Sequence, residues 1–281
     1  MSGEIKARAL SGIRTWLFDL DGTLYRGGEP MPGARKALKA LESAGRRIQF
    51  ITNNSRHSAA EIASKLSRMG IQVLPSEIVT ATEYTGLYIR ERHGCLKLAA
   101  AGSDAFVAAL REAGHHVLEP GDKGMVDAAV VGLDPAFTYK KLEWLTQAVS
   151  AGAMLFAANA DACHPGEGGH PVPETGALAA ALETATKKKA IYVGKPEPYL
   201  FHCALERCGG GIESAAMVGD NYDTDITGAK QAGLCTLWLA MSAGDANQGI
   251  PAEERPMADM VIRSLTEIEQ ALRHGGDKLE V

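Results

Sequence analysis

The sequence lacks the features that mark several common protein classes. Its five cysteines are scattered and form no C-x-x-C pair, which argues against a disulfide framework and against a structural zinc site. No apolar run approaches the roughly 20 residues that a membrane-spanning helix needs, and the first residues lack the apolar core of a signal peptide. We therefore expect a cytoplasmic protein that has reduced thiols and does not associate with a membrane.

An excess of basic residues is also missing. The formal net charge is −5, from 29 Lys and Arg against 34 Asp and Glu. This balance provides no broad basic face, so we do not expect a nucleic acid duplex as a partner. The chain has 281 residues, of which 46% are hydrophobic, and this is enough for one large domain or two moderate ones.

The first 81 residues alternate strand and helix patterns. "TWLFDL" predicts a buried strand, and apolar residues at three- and four-residue intervals then predict a helix that ends at Gly45. "RIQFIT" predicts a second strand, and a helix that carries Ile62, Leu66 and Met69 ends at Gly70. This βαβα order predicts a parallel sheet.

The last third resumes this alternation, while the middle of the chain has a pattern of its own. From residue 189, the strands "AIYVG", "AAMVGD" and "LCTLWLA" alternate with helices from Pro198 and Thr224, and a final strand and helix follow. We expect residues 1–81 and 189–281 to form the halves of one sheet. Residues 82–188 contain further helices and strands and are long enough for a separate domain.

Polar residues follow the predicted strands at four places in the sequence. Because functional groups gather at the carboxyl ends of parallel strands, we expect these four clusters to lie together. They are Asp19 with Asp21, Thr52 with Asn53, Lys195, and Asp220 with Asp225.

Three of these side chains, Asp19, Asp21 and Asp220, would repel one another unless a cation neutralised them. All the candidate ligands are oxygens, which favours a hard ion such as Mg²⁺ over zinc. A phosphate bound to Mg²⁺ could then be held by the Lys195 ammonium and the Thr52 hydroxyl. This combination of groups suits phosphoryl transfer, which depends on charge stabilisation and alignment.

Four motifs carry a resemblance to a known family. "DLDGT", "TNNS", "GKPEP" and "GDNYDTD", in this order, resemble the motifs of the haloacid dehalogenase superfamily of phosphohydrolases. The insertion between the second and third motifs is similar to the α/β cap of the class IIA subgroup, which includes p-nitrophenyl, nucleotide, pyridoxal phosphate and phosphoglycolate phosphatases. The resemblance implies an α/β protein in which residues 1–81 and 189–281 form a Rossmann-like parallel-sheet core and residues 82–188 form the cap.

The resemblance also assigns roles to the acidic residues. Asp19 matches the nucleophile that forms an aspartyl phosphate, and Asp21 matches the general acid and base. Asp220, the Asp19 carboxylate and the Asp21 backbone carbonyl match the Mg²⁺ ligands, and Asp225 resembles a residue that orients them. Gly22 would let the chain turn away after Asp21, and "TLYRGGEP" resembles the flexible flap of the family.

The remaining motif residues match phosphate-binding groups. Thr52, Asn53 and Asn54 match the polar contacts to phosphate, and Lys195 matches the lysine that neutralises the nucleophile and the phosphate oxygens. Each motif residue also has a structural alternative. Asp21 could form a turn, Thr52 and Asn53 could cap a helix, Lys195 could be a surface charge, and Asp225 could interact with a helix dipole.

The substrate is expected to contact the loop "ANADACHPGEGGHP". In the pyridoxal phosphate phosphatases of this subgroup a similar loop carries an Asp and a His followed by Pro, and this chain offers Asp161 and His164. A glycine-rich turn with an incidental histidine is the alternative. Many members begin this loop with Asn-Pro-Asp or Asn-Arg-Asp, whereas residues 159–161 here are Asn-Ala-Asp.

The sequence does not choose among pyridoxal phosphate, phosphoglycolate, a nucleoside monophosphate and a sugar phosphate as the small-molecule substrate. Two other functions share the same residue types: a signalling receiver, which would be about half this length, and a catalytically silent phosphate-binding protein. Caps of this subgroup often dimerise, and the alanine-rich helices of the insertion could pack in a homodimer.

Overall fold

The computed structural model describes residues 10–122, 124–166, 170–240 and 258–276. The chain divides into two compact units. The first is drawn from Met1–Thr52, Ala63–Val79 and Phe201–Val281, and the second from Asn53–Ile62 and Thr80–Leu200. Residues 167–169 of the predicted substrate loop lie outside the described residues.

Strands and helices alternate through both units. The strands are β1 (Thr15–Phe18), β2 (Tyr25–Arg26), β3 (Glu29–Pro30), β4 (Arg47–Thr52), β5 (Ile78–Thr80), β6 (Lys97–Ala101), β7 (His116–Leu118), β8 (Ala128–Val131), β9 (Met154–Ala157), β10 (Cys163–Pro165), β11 (Pro171–Pro173), β12 (Ile191–Tyr192), β13 (Ala215–Gly219), β14 (Cys235–Leu239) and β15 (Met260–Ile262). The α-helices are α1 (Ala34–Ser43), α2 (Ala59–Arg68), α3 (Ala81–His93), α4 (Asp104–Glu112), α5 (Tyr139–Ser150), α6 (Thr175–Thr186), α7 (Tyr199–Cys208), α8 (Thr227–Gln231) and α9 (Thr266–Gly276).

The first unit is built on a six-stranded sheet in the order β15-β14-β13-β1-β4-β5. The pairs of β1 with β13 and with β4 are parallel, as are those of β13 with β14 and of β14 with β15. All residues of β1 and β13 are buried, as expected for strands that helices cover on both faces. The predicted parallel α/β fold is confirmed.

The second unit has its own sheet, in the order β12-β9-β8-β6-β7, and its strand pairs are all parallel. The prediction that the strand "AIYVG" continues the first sheet is wrong, because Ile191 and Tyr192 pair with Phe156 and Ala157 of β9. The strand has only two residues, one exposed and one partly exposed, and so short a pattern does not identify the sheet to which a strand belongs.

Other predicted elements agree with the structure to within a few residues. The helix predicted from Thr224 is divided into a π-helical segment, Tyr222–Ile226, and α8. The segment "TLYRGGEP" forms the antiparallel hairpin of β2 and β3. Within the described ranges, no helix combines the length and apolar character that crossing a membrane requires.

The ring of Phe106, on α4 of the second unit, is fully buried. Gly132, which follows β8, lies against this ring, and a Cβ added there would stand 2.8 Å from ring atoms Cδ1 and Cγ. Contacts this short do not occur between real Cβ atoms and rings, so either the ring or the strand end would have to move. Absence of a side chain at residue 132 is therefore a packing requirement.

We predict that Gly132→Ala lowers the free energy of unfolding by about 1–3 kcal/mol, because it overpacks the core against Phe106. Gly211→Ala is the matched control, since that glycine has φ −79° and ψ 140° and an added Cβ there meets no atom within 4 Å. Urea denaturation of the two variants and the wild type measures the difference. Equal unfolding midpoints for all three proteins would contradict the packing requirement.

Candidate active site

Two of the predicted site residues follow adjacent strands of the first unit. Asp19 comes directly after β1, is buried, and donates its backbone N–H to the Val218 carbonyl at 2.9 Å. Asp220 follows β13. The chain places β4 and β5 on one side of β1 and β13 on the other, so the strand order reverses between β1 and β13. In parallel α/β sheets, ligands bind at the carboxyl ends of the strands beside such a reversal.

Three carboxylates meet at this position. Oxygens of Asp19, Asp220 and Asp225 lie within 4.8 Å of one another, and Asp225 is completely buried. Three negative charges at this spacing repel strongly where water is excluded, and a divalent cation with oxygen ligands would remove the repulsion. The donor set therefore fits Mg²⁺. The Asp21 side chain is exposed and does not belong to this group of three.

Two glycines allow the carboxylates to pack against the backbone. A Cβ added at Gly22 would stand 2.2 Å from the Asp220 Oδ2, and Gly22 has φ +89°, which favours glycine. A Cβ at Gly219 would stand 2.2 Å from the Asp225 Oδ2. The predicted turn at Gly22 is confirmed. The close approach of Asp225 to Gly219 was not predicted from the sequence.

Hydrogen bonds fix Asp220 from both sides. The Thr23 hydroxyl donates to Asp220 Oδ1 at 3.1 Å and accepts from the Asp220 backbone N–H at 3.1 Å. The indole N–H of Trp238 on β14 donates to the Asp220 backbone carbonyl at 3.0 Å. Sequence reasoning missed both partners. The position of Thr23 inside "DLDGT" could have indicated a contact with the acidic residues, whereas nothing in the sequence pattern of β14 indicated a contact of Trp238 with Asp220.

Asp225 is held by the segment that precedes it. Its Oδ2 accepts the backbone N–H of Asn221 at 3.1 Å, and its own N–H donates to the Asn221 carbonyl at 2.9 Å. The Asn221 side chain in turn accepts from the backbone N–H groups of Asp223 and Thr224. These bonds fix the turn between β13 and the π-helical segment. The position of the Asp225 carboxylate is thus determined by main-chain contacts.

The turn after Asp21 brings a tyrosine beside the acidic residues. Gly22 donates its N–H to the Tyr25 carbonyl at 2.7 Å. Burial raises the pKa of Tyr25 well above its usual range, and the negative charges of Asp21 and Asp19 raise it further. The Lys65 ammonium lies 4.1 Å from the centre of the Tyr25 ring. The Tyr25 hydroxyl therefore stays protonated at neutral pH.

Thr52 is the last residue of β4 and is buried. β4 pairs with β1 in parallel, with Phe50 opposite Phe18, so Thr52 lies at the same edge of the sheet as Asp19. The structure thus gathers Asp19, Thr52, Asp220 and Asp225 at one end of the first unit's sheet.

The second unit contains a hydrogen-bonded group of three predicted site residues. The Asn53 amide nitrogen donates to Asp161 Oδ2 at 3.0 Å and to the Lys195 backbone carbonyl at 3.0 Å. Asn159 completes the arrangement, because its side-chain nitrogen donates to the Asn53 carbonyl at 2.6 Å and its Oδ1 accepts the Asp161 N–H at 3.1 Å. Asn159 was noted in the sequence only as part of the loop and not as a link between these residues.

The Lys195 side chain is only 2% exposed. The alternative that Lys195 is a surface charge is therefore wrong. Lysine is almost never buried this completely unless its ammonium is paired.

Asn54 forms a turn, and its Oδ1 accepts the N–H groups of Arg56 at 3.0 Å and His57 at 2.7 Å.

The predicted substrate-loop histidine lies on β10, which forms an antiparallel hairpin with β11. His164 Nδ1 lies 2.7 Å from Glu174 Oε1, and the histidine side chain is 43% exposed. This exposure leaves part of the ring accessible, and Glu174 lies beside the ring.

Comparisons with known proteins agree with this description. The family model of haloacid dehalogenase-like hydrolases matches residues 16–116, and a second model of haloacid dehalogenase hydrolases matches residues 192–268. The chain is similar to the glycerol-3-phosphate phosphatase of Homo sapiens, with 35% identity over 84% of this chain and 82% of that protein. It is also similar to the acid sugar phosphatase of Staphylococcus saprophyticus, with 36% identity over 77% of this chain and 82% of that protein.

Solved structures show the same fold. The glycerol phosphate phosphatase of Mycobacterium tuberculosis, crystallised with magnesium, superposes with a TM-score of 0.84 at 30% identity, covering 94% of this chain and 78% of that one. A p-nitrophenyl phosphatase from Geobacillus stearothermophilus superposes with a TM-score of 0.79 at 33% identity, covering 90% and 97%. On these identities and coverages, the chain belongs to the haloacid dehalogenase-like hydrolases, among their capped class IIA phosphatases.

Proposed function

We propose that the protein is an Mg²⁺-dependent phosphatase that hydrolyses small phosphomonoesters through an aspartyl phosphate on Asp19. The observation that carries the proposal is the meeting of the Asp19, Asp220 and Asp225 carboxylates within 4.8 Å at the strand-order reversal. Relatives named for glycerol phosphate and sugar phosphates support a small polyol or sugar phosphate as the substrate. Pyridoxal phosphate, phosphoglycolate and nucleoside monophosphates remain candidates from the sequence resemblance.

In the proposed reaction, a carboxylate oxygen of Asp19 attacks phosphorus, and the bond from phosphorus to the leaving oxygen breaks. Asp21 gives its proton to that oxygen, so the alcohol leaves neutral. A water molecule then attacks the phosphorus of the aspartyl phosphate while Asp21 takes its proton. The Asp19 carboxylate and inorganic phosphate are released, and Asp21 is again protonated.

The cation would be bound by the Asp19 and Asp220 carboxylates and the Asp21 backbone carbonyl, with Asp225 beside them. When bound, Mg²⁺ supplies the positive charge that stabilises the phosphoryl group as it transfers. We assign phosphate binding to the Thr52 hydroxyl and the Lys195 ammonium. Their burial supports this assignment, because desolvated groups interact more strongly with an anion.

We also assign Asn53 and Asn54 to phosphate recognition through the resemblance. Both hydrogens of the Asn53 amide are committed to Asp161 and Lys195, so we assign its phosphate contact to the backbone. The Asn54 Oδ1 accepts the backbone N–H groups of Arg56 and His57, and the Asn54 backbone carbonyl accepts from the Thr82 hydroxyl. We therefore propose that Asn53 and Asn54 both contact the phosphate through their backbone groups.

We predict that phosphate release from a panel of phosphomonoesters requires Mg²⁺ and is abolished in Asp19→Asn, because the amide neither attacks phosphorus nor carries charge to the cation. The panel includes glycerol, sugar, pyridoxal and p-nitrophenyl phosphates. Asp104→Asn, the same change at an exposed residue of α4, should retain wild-type turnover. Retained turnover in folded Asp19→Asn would contradict the assignment, and silence of the wild type on every ester would favour a phosphate-binding protein.

We predict that Asp21→Asn reduces turnover of an alkyl phosphate about 10²–10⁴-fold and that of p-nitrophenyl phosphate much less, because nitrophenolate leaves without a proton. Steady-state rates on glycerol phosphate and p-nitrophenyl phosphate give the two ratios. Equal losses on both esters would argue against general acid catalysis by Asp21. A receiver-like protein has no such proton shuttle, so the Asp21→Asn change would not reduce turnover of one ester more than that of the other.

We predict that His164→Ala changes the relative kcat/KM values of large substrates more than that of p-nitrophenyl phosphate. The ring is partly exposed and lies beside Glu174, so it can contact the leaving group of a substrate without touching phosphorus. The comparison requires kcat/KM for each ester in the panel. A uniform loss across all esters would show that His164 does not select among them.

A further inference from the structure

Trp238 contacts two residues of the segment that carries two of the three carboxylates, Asp220 and Tyr222. Its indole N–H donates to the Asp220 carbonyl at 3.0 Å. Its ring meets that of Tyr222 edge to face, with centroids 4.8 Å apart and planes at 87°. Tyr222 begins the π-helical segment that contains Asp225. One side chain therefore contacts the backbone of Asp220 and the first turn of the segment that holds Asp225.

The position of the indole is itself well determined. Trp238 lies on β14 and pairs in parallel register with Gly219, the residue between Val218 and Asp220. Tyr222 is buried, so its ring has little freedom to move away from the indole. A rigid strand on one side and a buried ring on the other thus fix the direction in which the N–H points.

A bond to the Asp220 carbonyl matters because this residue has left the regular strand. The two polar groups of its backbone are satisfied by side chains, the N–H by Thr23 and the carbonyl by Trp238. Loss of either partner would leave a backbone group without its bond and let the peptide rotate. Because the carboxylate is attached to that peptide, its distance to Asp19 and Asp225 would change as well.

We propose that Trp238 is a positioning residue for cation binding, which it favours by fixing the Asp220 backbone, and that its indole reports on the binding of the cation. The proposal rests on the Mg²⁺ site of the proposed function. Indole fluorescence responds to the local electric field, and the Trp238 N–H donates to the carbonyl of Asp220, whose carboxylate is a proposed cation ligand. Partners of metal ligands commonly contribute to metal affinity in this way.

The first test is an Mg²⁺ titration of the metal-free protein, followed by calorimetry and by tryptophan fluorescence. We expect the wild type to bind Mg²⁺ with a change in emission. In Trp238→Phe, which keeps a ring against Tyr222 but removes the donor, we expect the Kd to rise about 10-fold, or about 1.4 kcal/mol, and the emission change to disappear. Trp144→Phe, on α5 of the second unit, should keep both the Kd and the emission change.

A purely structural role for Trp238 would give a different result. It would lower the thermal midpoint of Trp238→Phe and leave its Mg²⁺ Kd at the wild-type value below that midpoint, and this outcome would overturn the proposal. If Trp238→Phe does not fold, ¹⁵N-indole NMR of the wild type replaces it. There, one indole N–H signal should shift with Mg²⁺, and the absence of any shift at saturation would overturn the proposal.

Asp220→Asn separates this inference from the proposed function. If the wild type binds Mg²⁺ and Asp220→Asn does not, the cation site is supported, and an unchanged Kd in Trp238→Phe overturns the role of Trp238 alone. If the wild type itself binds no Mg²⁺, the metal site and the role of Trp238 both fail.

Discussion

The mutual repulsion of three carboxylates is the constraint on which the rest of the first unit depends. Asp19, Asp220 and Asp225 lie within 4.8 Å of one another, and two of them are buried. The surrounding structure holds these positions against the repulsion, and a cation with oxygen ligands would balance the charge. The Thr23 hydroxyl bonds to the Asp220 carboxylate, and the Asn221 backbone N–H bonds to that of Asp225. Glycines at 22 and 219 leave room for the two carboxylates.

The sheet topology explains why these particular residues meet. Asp19 follows β1 and Asp220 follows β13, and the two strands are parallel neighbours although about 200 residues separate them in sequence. The parallel register from Thr15 with Ala215 to Phe18 with Val218 brings both strands to an end at the same level. The pairing of these two strands therefore accounts for the proximity of Asp19 and Asp220.

This topology also explains which parts of the structure could be predicted from the sequence. Buried strands and amphipathic helices have local patterns, and polar residues directly after such strands predict an active-site edge without further information. The partner of the short strand Ile191–Tyr192 could not be predicted, because its pairing with β9 depends on packing within the second unit. Trp238 was missed for a related reason: a tryptophan in a strand looks like core, and its N–H bond to Asp220 requires three-dimensional information.

The second unit shows that a predicted binding residue can have its polar atoms engaged within the protein. Asp161 was expected to contact the substrate, yet its carboxylate accepts from Asn53, whose other amide hydrogen bonds the Lys195 carbonyl. Removal of the Asp161 carboxylate would free one hydrogen of that amide and loosen its hold on the Lys195 backbone. A loss of activity on substitution of Asp161 is therefore expected whether or not this residue touches the substrate. Only a change in the ranking of substrates distinguishes a direct contact from the displacement of Lys195, because the role proposed for Lys195 concerns the phosphoryl group that all the substrates share.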